Sequence, residues 1–441
     1  MDYTTDQACE YFSRYADKKI KLRRRNRFYY GYVQSLRTFL IPDKAKSLTI
    51  EDPTISKIKA VGEYQYVAIS DTLGYIYDIQ NFLMDINKAL SADGRIIITQ
   101  YSALWEPVLR LASSLGLRMP SMEQNWVSKI DLVNFLELAG FEVVKSGSKM
   151  LCPFYFPVIS YFFNSYIANI FPFNKLGLIN YAVARKSGAG LGRKAEMNGS
   201  KLPSISIIVP ARNEAGTIKK IVEELPTIGS GTEVIFIEGN SADDTLDVIK
   251  KTVAAYKGPH KVRYAVQEGK GKGDAVRKGF DMASGDILAI YDADMTVPPE
   301  DVPKFYQALV DGRADFINGS RLVYPMEKES MRLLNFFGNK FFSYAFSTIL
   351  GQPLKDTLCG TKVLWKKDYE KIKNNRAFFG DFDPFGDFDL LFGAAKLNLK
   401  IIDLPVHYRE RKYGTTNISR WKHGWLLLKM TVFAARKLKF V

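Results

Sequence analysis

An α/β protein of two domains is what this sequence predicts, on three observations. Short apolar runs alternate with amphipathic stretches along both halves, the 441 residues exceed the roughly 100 to 200 of one ordinary domain, and a stretch of small, polar and basic residues separates the halves. That stretch, Ser187 to Lys201, lies between two strand-like runs, Ile179 to Ala184 and Ile205 to Val209. The expected division is 1–186, a linker at 187–201, and 202–441. Gly188-Ala189-Gly190-Leu191-Gly192 invites comparison with a nucleotide-binding glycine loop, but no apolar helix follows it, so it reads as linker.

Composition narrows the class. At 46 % hydrophobic and 25 % charged the chain is a folded protein, neither collagen-like nor disordered. A net charge of +15 favours polyanions without choosing among nucleic acid, anionic membrane and phosphorylated substrates. Cys9, Cys152 and Cys359 are few and far apart, which argues against a disulfide framework and for a reducing compartment. Met1 to Lys18 lacks a basic stretch followed by an apolar one, so the expected location is cytoplasmic.

In the first half, Tyr66 to Ile69 reads as a strand and Ile79 to Leu90 as an amphipathic helix. Ala92-Asp93-Gly94 then reads as a turn, Arg95 to Thr99 as a second strand, and Lys129 to Ala139 as a helix closed by Gly140. The second half alternates more regularly. Strands are expected at Ile205 to Val209, Val234 to Glu238, Val262 to Val266 and Ile287 to Tyr291, with helices at Ile218 to Leu225, Thr245 to Tyr256 and Asp274 to Ala283 between them. Such βα units make a mainly parallel sheet.

Ligands of an open α/β sheet bind beyond the carboxyl ends of its strands. Those positions here hold Pro210-Ala211-Arg212-Asn213-Glu214, then Glu238-Gly239-Asn240-Ser241-Ala242-Asp243-Asp244-Thr245, then Glu268-Gly269-Lys270-Gly271-Lys272-Gly273. Ser241 and Asp244 suit amino-caps of the next helix. Lys270 and Lys272 among flexible amides suit a diphosphate, and equally a solvated loop. The fourth strand delivers Asp292-Ala293-Asp294, two carboxylates one residue apart, which would be costly to bury without a cation. Mg²⁺ or Mn²⁺ takes such oxygen ligands together with substrate phosphates.

The order of these motifs, continued by Gly319-Ser320-Arg321, Asp356 to Gly360, Phe385 to Leu390 and Tyr408 to Ser419, resembles family 2 glycosyltransferases of the GT-A fold. Within that family the likeness is to polyprenyl-phosphate (dolichol-phosphate) mannosyl- and glucosyltransferases, and it spans Leu202 to Lys429. The resemblance implies a GDP- or UDP-linked nucleotide sugar as donor, contacted by Pro210, Arg212, Asn213, Glu214, Glu238, Asn240, Ser241, Lys270, Lys272, Asp274, Asp292 and Ala293. It implies metal at Asp292 and Asp294, phosphate contacts by Arg321, Arg409 and Arg411, and catalytic roles for Asp294 and for Asp387 and Asp389 near the acceptor. Glu238 stands where many relatives have Asp, and Asp389 where Glu is frequent. Phe385 to Leu390 would equally suit the acidic start of an amphipathic helix.

Tyr64 to Lys186 resembles the later half of a class I S-adenosylmethionine-dependent methyltransferase, carried by Tyr66 to Asp71, Leu90 to Thr99 and Gly140 to Val143. The glycine-rich cofactor loop such a domain needs is missing between Phe28 and Tyr64, so a truncated, Rossmann-like, non-catalytic domain is expected and S-adenosylmethionine is not.

The function expected is an inverting transfer of sugar to polyprenyl phosphate at the inner membrane face. A glycan or other hydroxyl acceptor, or a non-catalytic membrane-associated scaffold, remains open. Leu333 to Leu350, Trp421 to Val441 and Phe154 to Phe173 suit either an interfacial position on a membrane or internal packing. The basic run Lys18 to Arg27 reads as solvated or membrane-facing, and nucleic acid is not an expected partner. A homo-oligomer is compatible with the sequence.

Overall fold

The computed structural model describes residues 6–51, 58, 60–119, 124–188, 202–324, 333–378, 388–411, 413 and 420–439. The chain forms two compact units, Met1–Ala189 with Lys439–Val441 and Gly190–Leu438. Both are α/β.

The amino-terminal unit opens with helices α1 (Asp6–Arg14), α2 (Ala16–Arg25) and α3 (Arg27–Leu40). There follow β1 (Ser47–Ile50), β2 (Tyr64–Ser70), α4 (Ile79–Ala89), β3 (Leu90–Tyr101), α5 (Glu106–Ser114), α6 (Lys129–Leu138), β4 (Phe141–Lys149), α7 (Ile159–Ser165) and β5 (Ile179–Lys186). The sheet order is β1-β2-β3-β5-β4; β1 to β3 are parallel and β5 runs antiparallel to both neighbours. Asp78 caps α4 by accepting from the Asn81 N–H (2.9 Å), Ser128 and Asp131 form a reciprocal capping box on α6, and Gly140, at φ +76°, ends α6 in the left-handed region. Ala92-Asp93-Gly94, expected as a turn, lies inside β3. An irregularity in the β2–β3 register, between Tyr64 opposite Leu90 and Tyr66 opposite Arg95, absorbs the extra residues without leaving the strand.

The carboxy-terminal unit contains β6 (Ile205–Ala211), α8 (Ile218–Glu224), β7 (Thr232–Glu238), α9 (Thr245–Ala255), β8 (Lys261–Val266), α10 (Lys272–Met282) and β9 (Ile287–Ile290). These match the expected elements to within two residues at each end. It continues with α11 (Val302–Val310), β10 (Phe316–Ser320), α12 (Leu333–Leu350), β11 (Lys362–Trp365), α13 (Lys366–Asn374), α14 (Phe388–Lys396), β12 (Ile401–Pro405) and α15 (Arg420–Ala434). The sheet runs β12-β10-β11-β9-β6-β7-β8, parallel except for β11. This is the GT-A α/β arrangement the resemblance implied.

Alternate residues of the strands face two apolar cores. Ile208, Ile235 and Ile290 pack under α10, α12 and α14, whereas Ile207, Phe236 and Ala289 pack against α8 and α11. Gly279 lets α10 approach β6 so closely that a Cβ there would strike Ile208. Phe346, Ile349 and Leu350 of α12 and Leu427, Met430 and Ala434 of α15 are buried in the first of these cores, although Phe341, Tyr344 and Trp425 remain exposed. Among the described residues no helix is long and apolar enough to cross a membrane.

The chain lays down β6, β7 and β8 outward and returns to place β9 on the other side of β6. The carboxyl ends of β6 and β9 therefore flank a topological switch point, where open α/β sheets form their ligand crevice.

Candidate active site at the switch point

Three loops meet at this edge, and each contains a non-glycine residue in the left-handed region: Asn213 (φ 57°) after β6, Asn240 (φ 56°) after β7 and Met295 (φ 54°) after β9. Such a conformation persists only where the surroundings fix it, and it concentrates at functional loops. Hydrogen bonds supply the fixing. The Asn213 N–H donates to Ser241 Oγ (3.0 Å) and the Ala242 N–H donates to Asn213 Oδ1 (2.8 Å), which locks the first loop to the second. Glu238 is buried, and its Oε1 accepts from the Ser241 N–H (2.6 Å). Asn240 and Arg212 are exposed, and Pro210 is half-buried within β6.

The capping expectation needs correction. Asp244 occupies the amino-cap of α9 without a side-chain hydrogen bond, and Ser241 is engaged by Asn213. Asp243 does the capping, accepting from the Thr245 N–H (3.0 Å) and hydroxyl, and Thr245 Oγ1 accepts in turn from the Glu214 N–H (2.9 Å). An Asp two residues before a helical Thr was the available signal.

Glu214 and Asp294, from the two strands of the switch point, share one guanidinium. Arg411 Nη1 donates to Glu214 Oε1 (2.7 Å) and Nη2 to Asp294 Oδ2 (2.8 Å). Asp294 Oδ1 also accepts from the N–H (3.1 Å) and hydroxyl (2.9 Å) of Thr296. Glu214 is 6 % exposed, and its Oε2 is buried with no hydrogen-bond partner among the described residues. Burial pushes its carboxyl up to about 7; Asp294 and Asp243 add to the rise and Arg411 opposes it.

That shift predicts a pH effect on stability. A carboxyl with a raised native pKa binds more protons folded than unfolded, so stability falls as pH rises from about 4.5 to about 7. Urea unfolding of wild type beside Glu214→Gln should show wild type losing up to roughly 3 kcal/mol relative to the variant across that window. Parallel pH profiles would mean Glu214 titrates normally.

Lys272, the first residue of α10, donates to Asp292 Oδ1 (2.6 Å). Burial works to raise the Asp292 carboxyl, but the charges of Lys272, Lys362 and Arg321 outweigh it and hold the group below its ordinary value. The other oxygen, Oδ2, faces Gly360. A Cβ at Gly360 would collide with that oxygen and with the Lys272 ammonium, so the close approach of this turn to the carboxylate requires glycine. Ala293 is buried between the two acids.

Among the described residues no three His, Cys, Asp or Glu side chains converge on one point. Two carboxylates one residue apart do fit an ion that takes one or two carboxylates and fills its shell with phosphate and water. Asp274 closes the preceding loop by accepting from the Gly269 N–H (2.8 Å), and Lys270 is exposed.

The three arginines expected to face phosphates each hold a carboxylate. Arg411 bridges Glu214 and Asp294, Arg409 Nη2 donates to Glu300 Oε1 (2.6 Å), and Arg321 forms a fork on Asp356, Nε to Oδ2 (2.7 Å) and Nη2 to Oδ1 (2.9 Å). Asp389, at the start of α14, is buried near Arg277 (3.7 Å) and Arg376 (3.5 Å). Asp387 lies outside the described residues. Sequence reasoning passed over Asp356 as an acid with a partner, and Lys362, a fully buried lysine in the strand Lys362–Trp365 whose Nζ donates to the Cys359 carbonyl.

Two carboxylates and two cations thus meet at the switch point of this sheet, the edge at which open α/β sheets bind their ligands. Residues 206–374 match the family model described as "Glycosyl transferase family 2", so the carboxy-terminal unit carries a domain of that family. Glycosyltransferase AglJ of Haloferax volcanii is 28% identical over 226 residues, covering 51% of this chain and 69% of its own length. The dolichyl-phosphate hexose transferase of the same organism is 27% identical over 232 residues, covering 52% of this chain and 92% of its own. Among solved structures, glucosyl-3-phosphoglycerate synthase from Mycobacterium tuberculosis, crystallised with Mn²⁺, UDP and glucosyl-3-phosphoglycerate, is similar at TM-score 0.40 and 18% identity over 57% of this chain and 83% of that one. The family model reaches no residue before 206.

Proposed function

We propose that the protein transfers a sugar, with inversion, from a GDP- or UDP-linked donor to a polyprenyl phosphate at the inner face of the membrane. The observation that carries this reading is the pairing of Asp292 and Asp294 with Lys272 and Arg411 at the switch point. Asp292 and Asp294 would hold Mg²⁺ or Mn²⁺, which neutralises a departing nucleoside diphosphate. Lys272 and Arg411 are already within ion-pair distance of those carboxylates, so they are placed to meet the charge that develops on the leaving group. Glu214 and Glu238, fixed by the loops around them, line the donor side. A phosphate acceptor is ionised at neutral pH and needs no base, which suits a site where Asp389 already faces two arginines. A relative named dolichyl-phosphate hexose transferase supports the acceptor class.

The test is a screen of nucleotide sugars with short-chain polyprenyl phosphate and Mn²⁺ or Mg²⁺, followed by chromatography of the lipid product. A glycosyl-phosphate lipid of inverted anomeric configuration is expected. Transfer confined to glycan acceptors would replace the lipid-phosphate reading.

For the amino-terminal unit we infer a non-catalytic platform. Beyond the carboxyl end of β2, the Asp71 carboxylate accepts from the Tyr29 hydroxyl (2.8 Å), Tyr29 stacks on Tyr101 (5.2 Å), and Arg118 lies over Tyr101 (4.9 Å). Side chains thus occupy the edge where a methyltransferase would bind its cofactor. Calorimetry with S-adenosylmethionine should give no heat, and micromolar binding would overturn the inference.

A further inference from the structure

Residues 151–178 of the amino-terminal unit are folded with their polarity inverted. Ser160, Asn164, Ser165, Ala168 and Asn169 are buried, at the spacing of one helical face, and all but Ala168 are polar. Their bonds stay within the amino-terminal unit. Asn164 Oδ1 accepts from the N–H groups of Leu151 and Cys152 (2.9 Å each) while its Nδ2 donates to the Cys152 carbonyl (2.8 Å). Ser160 Oγ accepts from the Phe156 N–H (2.7 Å) and donates to the Phe154 carbonyl (2.6 Å). Asn169 Oδ1 accepts from Lys149 Nζ (2.6 Å) and its Nδ2 donates to the Ser165 carbonyl (2.7 Å).

With the polar groups turned inward, the large side chains point out. Thirteen large apolar side chains between Phe154 and Leu176 are exposed, far more than a water-facing surface commonly gathers in one place; Val158 is 81 % exposed and Phe171 65 %. Burying four polar side chains to expose these rings makes sense only if the surroundings of the rings are not water.

Two neighbouring elements extend the face and give it a charge. Trp105 Nε1 donates to the Leu176 carbonyl (2.8 Å), which joins the segment to α5 and the turn before it. There Leu104, Val108, Leu111 and Leu115, again on one helical face, are each more than half exposed. The Phe28 ring meets Tyr155 (5.6 Å) and Asn26 Nδ2 donates to the Leu117 carbonyl (3.4 Å), which brings the α2–α3 junction alongside. Helix α2 buries only Leu22 and exposes Lys18, Lys21, Arg24 and Arg25. Between Leu151 and Lys186 the sequence contains neither Asp nor Glu. An apolar aromatic face whose central segment contains no acid and whose edge carries cations is complementary to a bilayer with anionic headgroups, whereas a protein partner would have to match a broad patch of rings.

We propose that residues 154–176, with the α5 stripe and basic α2 beside them, form a docking surface whose aromatic side chains enter the interfacial layer of an anionic phospholipid bilayer. The segment lies on the membrane and does not span it, since α7 has only 7 residues. The inference is independent of the transfer reaction, and its readout is separate from activity.

Flotation of the full chain with vesicles of phosphatidylcholine alone, and of phosphatidylcholine with phosphatidylglycerol, tests it. Wild type should float with the anionic vesicles. Phe154→Ser/Tyr161→Ser/Phe162→Ser, all exposed positions, should lower the partition coefficient by at least about tenfold with an unchanged melting temperature. Arg24→Glu/Arg25→Glu should weaken binding to phosphatidylglycerol vesicles and remove its salt dependence. Three results would overturn the proposal: wild type that floats with neither vesicle, a triple-serine variant that floats as well as wild type, or a wild-type dimer that becomes monomeric in the triple variant without any vesicle binding. The last would assign the face to a second copy of the chain.

Discussion

Asp294→Ala is expected to lower sugar transfer by roughly two to three orders of magnitude while leaving the unit folded. The carboxylate is bonded at both oxygens, to Thr296 and to Arg411, and its strand-edge position depends on β9 packing that the substitution does not touch. Without it, Arg411 keeps its bond to Glu214, so the guanidinium that spans the two strand ends is drawn to the donor-side acid and away from the leaving group. On the proposed function, a ligand to the cation is removed in the same step. The two effects separate in kinetics. Loss of the metal ligand raises the Mn²⁺ concentration needed for half-maximal rate, whereas misplacement of Arg411 lowers kcat at saturating metal. Asp292→Asn should raise the metal requirement in the same way and remove the carboxylate charge that faces Lys272 Nζ at Oδ1. Transfer undiminished in Asp294→Ala would take the carboxylate pair out of the reaction.

The site was legible where chemistry follows strand ends and obscure where it follows tertiary pairing. Apolar runs with polar punctuation placed β6 to β9 and the helices between them to within two residues, because burial on both sheet faces demands that pattern. Asp292, Asp294, Glu214 and Lys272 were readable because each directly follows a strand or opens the next helix. The placement of Arg411 between Glu214 and Asp294 joins residues 197 and 117 positions apart, and no local pattern encodes such a distance. The pairing of Arg321 with Asp356, 35 residues away, was hidden for the same reason. In the amino-terminal unit, Ala92-Asp93-Gly94 carries turn chemistry, yet neighbouring strands held it in a sheet. Phe154 to Phe173 read as apolar whichever way its side chains pointed; the inward turn of Ser160, Asn164 and Asn169 appears only once the fold is known.

Breaking the Arg321–Asp356 pair should cost stability on a scale of about 3 to 5 kcal/mol, the range for removing one partner of a buried ion pair. Asp356 is fully buried, and besides the Arg321 fork it accepts from Asn339 Nδ2 (2.8 Å), the Leu358 N–H (3.0 Å) and the Arg321 N–H (3.0 Å). Burial alone would raise this carboxyl, but the guanidinium and these N–H groups hold it far below the usual range. A depressed native pKa means the stabilisation is complete above the unfolded value near 3.8 and is lost as pH falls toward the native one. Arg321→Met leaves the carboxylate buried with neutral donors only. Urea unfolding at pH 7 should show the full loss, and Arg321→Met/Asp356→Leu should recover much of it by removing the stranded charge. The pair matters to chemistry because Asp356 anchors the turn through the Leu358 N–H, two residues before the Gly360 that rests against Asp292 and Lys272. The double variant should therefore regain stability without regaining activity, since its turn has lost the anchor that sets Gly360 against the carboxylate. Recovery of both together would mean that packing of the turn, and not the ion pair, positions the site.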